Sequence, residues 1–84
     1  MPRWQVVFDR QPFDFYKACR PAERTRLRKA FAELEVNPLA TGVSERRDAT
    51  GRTIQVGAFG VFLIHYWDDY LVKELRIVRI ERFR

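Results

Sequence analysis

A chain of 84 residues is long enough for one domain and too short for two, because at this size only roughly 60 to 65% of the unfolded surface can be buried. Seven Phe, three Tyr and two Trp within an apolar share of 46% exclude a disordered chain and supply a thin core carried by aromatics. The net charge of +5, with Arg well ahead of Lys among 16 basic residues, suits planar contact with phosphate or carboxylate, so the expected partner is anionic.

The lone Cys19 has no internal disulfide partner, and no Cys/His cluster has metal-ligand spacing. No metal or cofactor is therefore expected, and the setting is reducing and cytoplasmic. MPRWQVVFD lacks the apolar stretch of a signal peptide. The longest apolar run, 58–64, is far below the roughly 20 residues of a membrane span, so no membrane association is expected.

In chain order, Trp4, Val6 and Phe8 alternate and predict a half-buried first strand ending at Asp9. Residues 12–20 predict a short helix packed by Phe13, Phe15 and Tyr16. Pro21 sits where a second helix would begin, with Glu23 in its first turn. Leu27, Ala30, Phe31 and Leu34 fall at i, i+3, i+4 and i+7 and give that helix one apolar face to about Val36, where Asn37-Pro38 stops it. Residues 39–51 show no apolar period and read as a long loop, closed by a turn at 49–52.

Three strands follow, at 52–56, 59–67 and 70–82. Val61-Phe62-Leu63-Ile64 is apolar on both sides, as a central strand requires, and Asp68-Asp69 reads as a tight hairpin connection. Leu75 and Ile77 share one parity while Val78 and Ile80 share the other, so a bulge near 77–79 is needed to restore the phase. The expectation is one α+β domain over 1–84, ordered β-α-α-β-β-β. Its sheet is antiparallel and four-stranded, with a helical hairpin on one face.

Glycine-rich phosphate loops, serine nucleophile elbows and paired-histidine metal helices are absent. The only histidine, His65, is as a strand residue more readily a packed or hydrogen-bonded side chain than a base. Arg24, Arg26, Arg28 and Lys29 crowd the N-terminal half of the second helix, against its dipole, at roughly 0.3 to 1 kcal/mol each before screening. That pattern reads either as a solvated face or as a surface for an anionic partner. Arg76, Arg79, Arg82 and Arg84 in the tail, with Arg46, Arg47 and Arg52 from the mid-chain segment, predict a concave basic patch on the sheet face opposite the helices. Phe59, Tyr66, Trp67, Tyr70 and Phe83 interleave with these charges. That mixture suits RNA, where bases stack and phosphates need cations, although Phe59 also reads as core.

An opening strand, a helical hairpin ending in Leu34-Glu35-Val36-Asn37-Pro38, and a terminal meander together resemble the RelE/ParE superfamily of toxin–antitoxin toxins. The run Arg47-Asp48-Ala49-Thr50-Gly51-Arg52 followed by IQVGAFGVFLIHYWDDYLVKELRIVRI is similar to its plasmid-stabilisation-like branch. The resemblance spans nearly the whole chain and implies a bacterial toxin neutralised by a small antitoxin. RelE-like members cleave mRNA in the ribosome, and ParE-like members inhibit DNA gyrase. Where RelE-like members commonly open the central strand with Tyr-Arg, this chain reads Phe59-Gly60.

The resemblance then implies Arg79 or Arg82 as phosphate clamp and His65 or Tyr66 as proton-transfer group. Arg24, Arg28, Arg46, Arg47, Arg52, Arg76 and Arg84 would contact nucleic acid. Three functions stand side by side: an mRNA-cleaving toxin, a gyrase inhibitor without chemistry of its own, and a RelE-fold protein reduced to RNA binding or protein interaction. An antitoxin would present an acidic or amphipathic segment to the basic surfaces, adding a strand or laying a helix in a groove.

Overall fold

The structure, a computed structural model, describes residues 4–37 and 42–83. Its elements run β1 (Gln5–Phe8), α1 (Arg10–Ala18), α2 (Pro21–Val36), β2 (Gly42–Arg47), β3 (Thr53–Phe59), β4 (Phe62–Asp69) and β5 (Glu74–Arg82). The strands form one sheet in the order β1-β5-β4-β3-β2. Hairpins join β2 to β3, β3 to β4 and β4 to β5, whereas β1 lies parallel to β5 with Val6 opposite Leu75 and Phe8 opposite Ile77. Among the described residues no helix is long and apolar enough to cross a membrane.

Two expectations are corrected here. The sheet has five strands and is mixed, because the first strand docks beside the last, and residues 42–47 form β2 rather than loop. Ser44, Glu45, Arg46 and Arg47 are all exposed, so this edge strand carries no apolar alternation and its stability comes from backbone pairing with β3. The rest of the expected loop, 39–41, lies outside the described residues, as does Pro38. The expected turn is present. Asp48 Oδ1 accepts from the Thr50 and Arg52 backbone N–H groups at 2.9 and 3.0 Å, and Gly51 supplies a φ of +87°.

A third correction concerns the last hairpin. Asp68 and Asp69 belong to β4, and residues 70–73 make the connection, with the positive φ of 57° taken by Lys73 because no glycine is at hand. The bulge at Val78 lies where parity demanded one. His65 faces Arg79 while Tyr66 faces Ile77, so β5 slips one residue and keeps Leu75, Ile77 and Ile80 on the same face.

That face is the core. Leu27, Ala30, Phe31 and Leu34 of α2 pack with Cys19 on Phe62, Ile64, Tyr66, Leu75, Ile77 and Ile80 of the sheet, with Val6, Phe15, Tyr16 and Phe59 at the margin. Phe8 meets Phe31 edge to face at 5.0 Å, and Phe15 meets Phe62 at 6.1 Å. β1 is too short to pair β5 along its length. Beyond Phe8, the Gln11 side chain takes the place of a strand, accepting from the Ile80 N–H at 2.9 Å and donating to the Ile80 carbonyl at 3.0 Å.

The start of α2 is tied to the end of β5 by Glu23. Its carboxylate accepts from Arg82 Nε and Nη2, both at 2.9 Å, and from the Arg20 N–H at 3.1 Å. The Arg82 hydrogen bond, followed by that of Arg20, holds the carboxyl down at about 2, against 4.5 ordinarily. A depressed carboxyl stabilises the fold above its ordinary value, and that contribution is lost as pH falls through the depressed one. Acid titration followed by circular dichroism should show a loss of stability between about pH 4.5 and 2 that is smaller in a Glu23→Gln variant. Equal profiles would remove this role from the pair.

Candidate functional site

Because strand residues alternate, the face opposite the helices carries Arg46 of β2, Ile54 and Val56 of β3, Leu63, His65, Trp67 and Asp69 of β4, and Arg76, Arg79 and Glu81 of β5. Sheet twist and the 48–52 turn make this face concave around an open cavity of about 600 Å³. Arg46, Arg52, Arg76 and Arg79 line it together with Asp9, Gln11, Asp48, Ile54, Trp67, Asp69 and Val78. Four guanidinium groups thus gather on the sheet face predicted for them, although three carboxylates stand among them. Two of these cations flank Trp67. Arg52 stacks 3.9 Å from the ring centroid, and Arg76 lies at 6.0 Å while bonding Glu74 at 3.1 Å.

Beside the cavity, on the same face of the sheet, a polar chain links two of its lining arginines, Arg46 and Arg79. Arg46 Nε donates to His65 Nδ1 at 3.0 Å, His65 Nε2 meets Glu81 Oε2 at 2.7 Å, and Arg79 Nε lies 3.6 Å from the same oxygen. A guanidinium N–H requires a lone pair on Nδ1, so the ring proton is on Nε2 and is donated to Glu81. His65 is only 7% exposed. Burial lowers its pKa from 6.5, against the opposing pull of Glu81, while the His65 hydrogen bond lowers that of Glu81. A neutral imidazole with both nitrogens engaged orients its neighbours and has no free lone pair with which to take a substrate proton.

The other residues singled out in the sequence are dispersed. Tyr66 is 1% exposed on the helix-covered face, and its hydroxyl has no hydrogen-bond partner among the described residues. Arg82 shares that face, bound to Glu23, with its guanidinium 4.8 Å from the Phe15 ring and 3.7 Å from Cys19 Sγ. It lies across the sheet from Arg79 because the two are three residues apart in a regular stretch of β5, and the Val78 bulge puts it across from Arg76 as well. Arg24 and Arg28 sit on α2. Arg28 bonds the Tyr16 hydroxyl at 2.7 Å and edges a separate apolar hollow made by Phe8, Phe13, Tyr16 and Phe31. Arg47 turns away from the cavity to bond the Gly51 carbonyl at 2.9 Å, and Arg84 lies outside the described residues.

Phe59 packs against the core, and Gly60, with φ +61°, opens the two-residue β3–β4 turn. Asp9, Gln11, Asp48, Asp69 and Glu81 were not assigned to the site from sequence, whereas Trp67 was among the aromatics read as interleaved with its charges. Only Glu81 had a usable signal, since it shares the parity of Arg79 two residues away.

No protein-family model matches the sequence, and no curated protein does. Among solved structures, the fold is similar to a chain of the archaeal RelE–RelB complex from Pyrococcus horikoshii OT3. The TM-score is 0.76 at 15% identity, with 98% of this chain and 96% of that chain covered. The chain therefore has the RelE fold, two helices on a five-stranded mixed sheet.

Proposed function

We propose that this chain is the toxin of a type II toxin–antitoxin pair and that it acts on RNA through the concave face of its sheet. The observation that carries the reading is the gathering of Arg46, Arg52, Arg76 and Arg79 around one cavity with Trp67 on its wall. Guanidinium groups spaced across a concave sheet can follow a phosphate backbone while an indole face offers a stacking platform. The likeness to a chain of a RelE–RelB complex supports a cognate antitoxin as partner, and the resemblance of the sequence to RelE-like toxins makes mRNA in the ribosome the target to test. In this reading Arg79 is the phosphate clamp. Arg82 instead fastens α2 to β5.

A second reading has its own support. His65 is hydrogen-bonded through both nitrogens and Tyr66 is on the far face, so neither is free to move a proton in the cavity. A protein that holds RNA in the ribosome without cutting it fits that observation, and cleavage then separates the two readings.

The test is expression in bacteria, alone and together with whatever small acidic protein is encoded beside it. Growth arrest with a fall in amino-acid incorporation, relieved by the neighbour, is the expected result. Mapping of mRNA ends then distinguishes cutting from blocking. Unimpaired growth would overturn the toxin reading, and loss of supercoiling with translation intact would move the target to gyrase.

A further inference from the structure

We infer that Glu81 and His65 are a positioning pair, which holds the guanidinium groups of Arg46 and Arg79 at the spacing needed to bind an RNA backbone and releases Arg46 when the imidazole is protonated. The inference rests on the RNA reading of the cavity and adds to it a regulation by the pair that joins two of its lining arginines.

Arg46 stands on the edge strand β2, paired with Ile54. Nothing in an edge strand directs a long side chain inward, and left to itself this one would extend into water. Instead it lies across β3, where Ile54 and Val56 provide an apolar bed, and ends on His65 Nδ1 at 3.0 Å. On the other side of the ring, Glu81 takes the Nε2 proton at 2.7 Å, and the same oxygen faces Arg79 Nε at 3.6 Å. One carboxylate oxygen and one imidazole therefore set the positions of two cations brought from strands on either side of β3 and β4. Side chains locked by such supporting hydrogen bonds lose less freedom when a ligand binds.

The same geometry makes the arrangement sensitive to protonation. An imidazolium donates from both nitrogens, so Nδ1–H would oppose the Arg46 N–H that it now accepts. The hydrogen bond to Glu81 would survive and strengthen. The charged groups facing His65 are Arg46 from β2 and Glu81 and Arg79 from β5, while β3 contributes only Val56 opposite it. Asp9 and Asp48 line the same cavity and offer Arg46 other partners once released.

Simple attraction and positioning predict opposite signs, and a fluorescent single-stranded RNA oligonucleotide is the probe that separates them. Glu81→Gln removes a negative charge from the site, so attraction alone predicts tighter binding. Positioning predicts binding weaker by about fivefold. The pH is lowered from about 7.5 until the His65 ring signals report its protonation, which burial places below the ordinary value of about 6.5. Attraction again predicts tighter binding, and positioning predicts weaker binding. His65→Asn, whose amide oxygen can replace Nδ1 as acceptor but does not titrate, is expected to flatten that pH profile.

Circular dichroism at each pH checks that the fold persists. Binding by Glu81→Gln equal to or tighter than the parent, or a parent that binds more tightly in acid, would overturn the inference. A parent that fails to bind RNA at all would sink the RNA reading itself. The positioning claim is then decided by nitrogen NMR of His65. An Nε2–H tautomer, with the Arg46 Nε–H signal shifting as the ring titrates, supports it, and an Nδ1–H tautomer overturns it.

Discussion

Replacing both Arg76 and Arg79 by alanine is expected to abolish growth arrest and to weaken RNA binding roughly 100-fold, at about 1.4 kcal/mol for each guanidinium–phosphate hydrogen bond removed. The two side chains lie on the open face of β5, about 37% and 51% exposed, so their removal leaves no cavity in the core and the variant should fold. Salt dependence gives the more diagnostic measurement. With four guanidinium groups at phosphates, binding to single-stranded RNA should fall with a log–log slope of about −3, and the double variant should show about half of that. An unchanged slope would mean that these arginines serve their own neighbours, Glu74 and Glu81, and not a nucleic acid. The mixed sign of the cavity makes the outcome informative, since Asp9, Asp48 and Asp69 would oppose any anion held only by diffuse charge.

Leu27→Ala should cost about 3 kcal/mol of stability, a large share of the roughly 4 to 13 kcal/mol expected for a domain of this size. Leu27 is fully buried on α2 within the cluster that joins that helix to β4 and β5, and the surrounding elements are too few to collapse around the space left. The midpoint of thermal unfolding should drop by about 15 °C, which calorimetry can read directly. A drop of only a few degrees would mean that α2 contributes little to holding the sheet. The cost would act on function as well, because Glu23 on the same helix anchors Arg82 at the end of β5, the strand that presents Arg76 and Arg79.

Residues whose role follows from local periodicity were legible in advance. The apolar stripe of α2, the central position of β4, the Asp48 turn and the slipped phase of β5 near Val78 each leave a pattern within a few residues. Arg76 and Arg79 were likewise placed on the last strand, whereas Arg46 and Arg52 were drawn to the same patch from the mid-chain segment on charge alone. β2 was not legible. Its exposed side chains Ser44, Glu45, Arg46 and Arg47 carry no alternation, and its stability comes from backbone pairing, which side-chain chemistry does not announce. Arg82 was assigned to the wrong company because a bulge shifts parity, and its preference for Glu23 depends on a partner 59 residues away.

The sequence by itself determined that a basic, aromatic-rich chain would build helices on one side of a sheet and leave arginines on the other, because amphipathic period and composition are local properties. Only the tertiary structure decided that β1 would lie parallel to β5, closing that edge of the sheet with the chain's first strand. It alone joined Arg46, His65, Glu81 and Arg79 into one polar chain. Those partners come from three different strands. Their distances depend on strand order and register, which are set by the packing of the whole molecule and by no short stretch of residues.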